Sequence, residues 1–457
     1  IEPSALPLQL DKPNSATGWF ERCPWEENSP NTFLVSHELA HIGSCLPFYG
    51  AFRDNSLLVH FDGGASGGNF SAFLYKDGQL KLLECHWKLA QLSKFFNDNA
   101  LVFALMGAVP GEHCAVPGKL MGYATMGNYR PELALWLRKH DYFRNCWEEP
   151  EVFLQAAKRD WGIALNGFDN TQSFLQDIAR VFQHDFEEGI MAYLTRLQEQ
   201  AQADFLYYTG GCALNIVFNT KLLEKGLFQD IFIPPCCNDS GLSLGAASIL
   251  EWQKNGHIAT HLPYLNTVGV SQEYAYSPET IKKVAEELMA SKVIGVCNGA
   301  GEAGPRALGN RSLLALANSK PLARRVSMEC KRREWYRPTA PIMLQENVEK
   351  VTGKPVHHLS AYMLLDHRPL PAYRDALAGI IHANGMARIQ ALPNRSFNPF
   401  VYDLLTYMER VYGVLALINT SFNAQGEPIV YTATEAMASA RSMKLDGVVL
   451  NGQYSKI

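Results

Sequence analysis

The chain has 457 residues, a formal net charge of −4, and a hydrophobic share of 47% against 19% charged residues. That length predicts two or more domains, and the apolar share suffices for sizeable cores, which excludes an intrinsically disordered chain. The acidic balance argues against a general polyanion binder and makes nucleic acid an unexpected partner, while leaving room for a local basic patch.

Ten cysteines are scattered along the chain, with no C-x-x-C pair and only Cys236 and Cys237 adjacent. This is neither a zinc-finger spacing nor a disulfide framework; it suits a reducing compartment, and a cytoplasmic location is expected. The longest apolar stretches, such as residues 101–109, are too short to cross a bilayer. The chain opens Ile1-Glu2-Pro3 without a methionine or a visible signal peptide, so residues ahead of Ile1 are expected.

In chain order, the first segment with chemical content is SHELAH. Ser36 reads as an N-cap, which puts His37 and His41 at i and i+4 on one helical face, a spacing that suits a shared metal. The run matches HExxH with Glu38 as general base, the zinc-protease signature. A third histidine at metzincin spacing does not follow, and on this motif alone two packed helix histidines read equally well. Residues 57–83 alternate strand-like runs with glycine-rich turns, and Asp77-Gly78 signals a hairpin. Asp62, in VHFDGG, sits where a strand ends and a carboxylate can enter a cleft. A stripe of Ile178, Val181, Phe182, Phe186 and Ile190 predicts a helix over about 177–197.

Residues 205–208 read as a strand, followed at once by Gly210-Gly211 and a helix containing Asn215. Paired glycines there predict N–H groups facing a nucleotide phosphate or ribose. Asp239 precedes a helix over 243–254 that Asn255-Gly256 ends; it is either a metal ligand or that helix's N-cap. Residues 257–276 lack periodicity and read as a linker, with His257 and His261 as loop residues. Ser277-Pro278 then starts a new helix.

In the second half a buried strand over 293–296 leads into GAGEAGPRALGNRS, residues 299–312. Its four glycines predict a loop of bare N–H donors, with Arg306 and Arg311 aimed at phosphate or carboxylate. The charges from Arg324 to Arg333 read as a solvated helix face, whereas Arg337, between Tyr336 and Pro338, is harder to leave in solvent. His382, Arg388 and Gln390 alternate as on one strand face. A last strand runs into Asn419, Thr420, Ser421 and Asn423, a cluster of neutral donors. These segments make a polyphosphate-handling set without a Walker loop.

Nine segments, among them HELAH, DGG, GKLMG, GGCALN, NDSGLSLGAA, GPRALGNRS, KRREWYRPTAP and NTSFN-x-x-GEPIV, stand in the order of the NodU/CmcH-type O-carbamoyltransferases, which the chain resembles from about Phe33 onward. The resemblance implies an α/β chain with two domains. The first, 1–256, would have an actin-like ATPase fold akin to the tRNA threonylcarbamoyl transferase. After the linker, residues 277–457 would form a YrdC-like domain that makes carbamoyl-adenylate from carbamoyl phosphate and ATP. The first domain would then pass the carbamoyl group to an acceptor hydroxyl at a divalent metal, Fe2+ ahead of Zn2+. Carried over by motif, Lys331, Arg337 and Ser421 hold carbamoyl phosphate, and Arg306 and Arg388 hold ATP phosphates. Gly210, Gly211 and Asn215 meet the adenylate, and His37, His41, Asp62 and Asp239 bind the metal.

A homodimer without membrane contact is expected. Competing readings are a tRNA threonylcarbamoyladenosine-type enzyme and an HExxH metalloprotease. Three departures stand out: no acceptor-lining strand precedes Phe33, Pro117 replaces an acidic residue before Gly118, and Asn384 replaces an aspartate.

Overall fold

A computed structural model describes residues 20–22, 33–109, 111–147 and 149–457. It divides into two compact units, the first ending at Thr260 and the second spanning His261–Ile457. Each is a mixed α/β body built on a mixed sheet. Most of the polar stretch ahead of Phe33 lies outside the described residues. Within it, Phe20–Arg22 (β1) pairs antiparallel with Phe33–Val35 (β2).

The sheet of the first unit contains Ser56–Phe61 (β3), Phe70–Lys76 (β4), Gln79–His86 (β5), Phe205–Thr209 (β6) and Asp230–Phe232 (β7), in the order β5-β4-β3-β6-β7. Asp77 and Gly78 both take positive φ (53° and 71°), as a two-residue hairpin between β4 and β5 requires. β3, β6 and β7 run parallel. Their carboxyl ends therefore deliver Asp62, Gly210-Gly211 and the segment leading to Asp239 to one edge of the sheet, where open α/β sheets bind ligands.

Two helices frame that edge. Helix α1, His37–Gly43, starts at Ser36, whose side chain accepts the Leu39 N–H. The helix of residues Leu242–Asn255 lies against it, and glycine sets the approach: a Cβ on Gly245 would fall 1.8 Å from the Ala40 carbonyl oxygen. The striped helix runs Ser173–Ala201 with all five predicted apolar residues buried. Leu39, Ile42, Leu58, Phe73, Tyr207, Phe232, Ile249 and Trp252 form the core under the sheet and α1.

The second unit holds Ile294–Cys297 (β8), Arg311–Leu316 (β9), Ala340–Leu344 (β10), Gln390–Leu392 (β11), Leu417–Ser421 (β12), Gly447–Leu450 (β13) and Gln453–Lys456 (β14), in the order β11-β10-β12-β9-β8-β13-β14. Its helix Pro278–Met289 is capped by Ser277. The register determines where the loops meet. Ser421 pairs with Ser312, Asn419 with Ala340, Cys297 with Arg311, and Gln390 with Ile342. The end of β12 thus lies beside the starts of β9 and β10, and the start of β11 lies beside β10, so three loops distant in sequence open at one sheet edge. His382 and Arg388 are not on a strand, contrary to the alternation. The His382 N–H donates to the Met386 carbonyl and its own carbonyl accepts the Gly385 N–H across a turn, and β11 begins only at Gln390.

Candidate functional site

At the sheet edge of the first unit, four side chains converge. The Nε2 atoms of His37 and His41 lie 3.0 Å apart. Asp239 Oδ1 is 3.6 Å from His37 Nε2 and 3.2 Å from His41 Nε2, and Asp62 Oδ2 is 3.6 Å from His41 Nε2. His41 Nδ1 donates to the Cys237 carbonyl at 3.0 Å, which leaves the Nε2 lone pair facing the cluster, the outer hydrogen bond that orients metal-binding histidines. Hydrogen bonding to Asp239 raises the pKa of His37, and the two histidines hold the Asp239 carboxyl well below its usual range. Two lone-pair nitrogens and two carboxylates at such separations fit a divalent metal.

Asp239 does not cap the following helix. It heads a short turn, Asp239–Gly241, and its carboxylate faces the histidines instead. A fifth group escaped the sequence reading. His60 is fully buried on β3, stacks on His41 with ring centroids 4.8 Å apart, and has no partner at either ring nitrogen. It stands two residues before Asp62, so the period-two rule of strands carried the signal.

Other residues singled out in the sequence have partners within the protein. Gly210 donates to the Cys237 carbonyl at 2.8 Å and Gly211 to Asp62 Oδ2 at 2.5 Å, so the anion the Gly211 N–H meets is the protein's own aspartate. Gly210 is required sterically, since a Cβ there would lie 2.1 Å from the Phe61 oxygen. Asn215 caps the helix Ile216–Lys225 through Phe218 N and exchanges two amide hydrogen bonds with Gln183, at 3.1 Å each. Glu38 is buried and accepts the N–H groups of Gly67 (2.5 Å) and Gly68 (3.3 Å). Those bonds engage Oε1, Oε2 is buried without a hydrogen-bond partner among the described residues, and the carboxylate serves the glycine-rich loop.

The second unit gathers cations. Lys331 is 3% exposed, and its Nζ donates to the Ser421 carbonyl, to Ser421 Oγ (2.9 Å) and to Asn423 Oδ1 (2.5 Å). Burial, with the charges of Arg333 and Arg337 beside it, pulls its pKa down to about 6. Arg388 is depressed by burial and by the charges of Arg306, Arg333 and Arg337, and its Nε is buried without a partner. Lys331, Ser421, Arg306, Arg337 and Arg388 therefore do come together. Arg337 pairs with Glu334 at 3.6 Å.

Arg333, taken for a solvated residue, belongs to the same cluster. It donates to Thr420 Oγ1 at 3.0 Å, and burial lowers its pKa to about 9. The glycine loop itself differs from the expectation of bare donors. The N–H groups of Leu308, Asn310 and Arg311 all point at Glu302 Oε1, at 2.8, 2.9 and 3.0 Å. Arg311 is buried and spends its guanidinium on the carbonyls of Asn298, Gly299, Asn310 and Tyr431. The loop is folded around an internal carboxylate and an internal guanidinium, and these present Arg306.

A His/Asp cluster in one unit and a buried cation cluster in the other, both on a mixed α/β chain, are features a group-transfer enzyme can use. The carbamoyltransferase N-terminus family matches residues 25–248 and the carbamoyltransferase C-terminus family matches residues 285–456. The chain belongs to the carbamoyltransferase family. It is 35% identical over 352 residues to nodulation protein U of Sinorhizobium fredii, covering 71% of this chain and 61% of that one. It is 28% identical over 445 residues to nodulation protein NolNO of the same organism (92% and 63%). An uncharacterized protein of Methanocaldococcus jannaschii is 26% identical over 465 residues (93% and 73%). The chain thus spans less than two thirds of the two nodulation proteins. Among the described residues no helix is long and apolar enough to cross a membrane.

Proposed function

We propose that this protein is an ATP-dependent O-carbamoyltransferase working in two stages. In the second unit, read as YrdC-like, carbamoyl phosphate and ATP yield carbamoyl-adenylate, phosphate and pyrophosphate. In the first, read as an actin-like ATPase fold, the carbamoyl group passes to a hydroxyl of a small-molecule or sugar acceptor.

The observation that carries the reading is the convergence of Arg306, Lys331, Arg333, Arg337 and Arg388 on one sheet edge, close enough for their charges to depress one another. Holding buried cations together costs free energy in the absence of an anion. Carbamoyl phosphate and the ATP triphosphate bring enough negative charge to offset that cost, and fixed cations then act on charge that develops in the transition state. Lys331, Arg337 and Ser421 hold the carbamoyl phosphate, Arg306 and Arg388 hold ATP phosphates, and Arg333 sits among them.

In the first unit, His37, His41, Asp62 and Asp239 would hold a divalent ion, Fe2+ by preference. Such an ion polarises a carbonyl or lowers the pKa of an acceptor hydroxyl. Gly210 and Gly211 give the carbamoyl-adenylate a floor without side chains, and Asn215 positions them by capping the next helix. The test is pyrophosphate release from ATP by the purified chain, which should require carbamoyl phosphate. Release that ignores carbamoyl phosphate would sink the proposal. Arg306→Ala should lower it by ~100-fold or more while leaving bound metal unchanged.

A further inference from the structure

We infer that His60 is a fifth protein ligand of the metal, so that the first unit builds a site of three histidines and two carboxylates. The inference rests on reading the His/Asp cluster as a metal site. Its own support is separate. One ring nitrogen each from His37, His41 and His60 can be chosen so that the three lie within 4.8 Å of one another, and His41, Asp62 and Asp239 meet the same limit. The two sets share His41, which links the three histidines to the two carboxylates. The His60 ring centroid is 4.8 Å from that of His41 and 5.9 Å from that of His37.

Side-chain packing alone does not account for this residue. His60 has no exposed surface, and neither ring nitrogen has a hydrogen-bond partner. A buried imidazole in that state leaves both a donor and a lone pair unsatisfied, which folding ordinarily avoids. A cation placed between the rings takes up the lone pair. β3 also fixes the geometry, since His60 and Asp62 stand two residues apart at the strand's carboxyl end and so project to the same face. Five protein donors exceed the four that zinc takes in its closed sites and suit an ion that accepts six ligands, with one position left for a substrate oxygen.

The closing experiment uses the full chain, stripped of metal and titrated with Co2+, whose visible absorption is weak in five- or six-coordination and strong in four-coordination. The wild type should bind one Co2+ with weak bands. His60→Phe keeps a ring against His41 but offers no donor; it should bind ~10–100-fold more weakly and show the stronger bands of a four-coordinate ion. Wild-type affinity and spectrum in His60→Phe would overturn the inference while leaving the metal reading intact. Failure of the folded wild type to bind Co2+ would overturn the metal reading and this inference together. Should His60→Phe not fold, the wild type still decides: its Co2+ complex should show three strongly contact-shifted histidine ring N–H signals, and two would reject His60 as a ligand.

Discussion

Lys331 illustrates how burial tunes a single group. Its amine is held by the Ser421 carbonyl, Ser421 Oγ and Asn423, and its pKa falls to about 6 from the usual 10.5. Between those values the folded chain holds fewer protons on this amine than the unfolded chain does. The unfolded state binds more protons there, so this group makes stability rise with pH through that window, and its contribution is lowest below pH 6. A bound polyanion restores the charged form. Calorimetry at pH 8 in buffers of different ionisation enthalpy should therefore report uptake of about one proton on binding carbamoyl phosphate, and Lys331→Met should abolish it.

Glu302 works in the opposite sense, as an anion kept inside. Burial raises its pKa and three N–H groups oppose that rise. Glu302→Ala would leave those donors without an acceptor at a cost of about 1–3 kcal/mol or more, lowering Tm by several degrees. Glu302→Gln keeps an oxygen at the same place and should lose less.

At the level of elements, contacts between segments far apart in sequence place the chemistry. α1 reaches Asp239 because Gly43 and Gly245 let two helices touch backbone to backbone; a Cβ on Gly43 would lie 2.3 Å from the Gly245 oxygen. Gly245→Ala should push them apart, costing about 1–3 kcal/mol and weakening metal binding, as a thermal melt and a Co2+ titration would show. Local signals predicted the elements themselves. The Ser36 and Ser277 caps, the Asp77-Gly78 hairpin and the stripe from Ile178 to Ile190 all lie within a few residues of what they control. The neighbourhood of Arg333 was hidden because its partner Thr420 is 87 residues away. In sequence it is one cation in a charged run, and such runs are usually solvated.

Across the whole molecule, the two clusters lie in separate units, His37, His41, His60, Asp62 and Asp239 in the first and the five cations in the second. The two stages should therefore come apart by mutation. Asp239→Asn should lose bound metal yet retain carbamoyl-phosphate-dependent pyrophosphate release within about twofold, as independent sites do. Arg388→Met should show the converse. Loss of both activities from either change would contradict the division of labour.

By itself the amino-acid sequence determined the class of fold, the caps and turns that bound its elements, and the residue types that converge in each cluster. These follow from short-range periodicity and from motifs whose order persists along the chain. Only the tertiary structure decided which like residues face the chemistry. Arg311 turns inward to staple a loop while Arg306 and Arg388 remain with the cluster, Glu38 props the turn at Gly67 and Gly68, and His60 stacks beside His41. A side chain's local sequence does not reveal whether its charge will be spent on a distant carbonyl, on a backbone N–H or on a ligand. Strand register and the approach of two glycines make that choice.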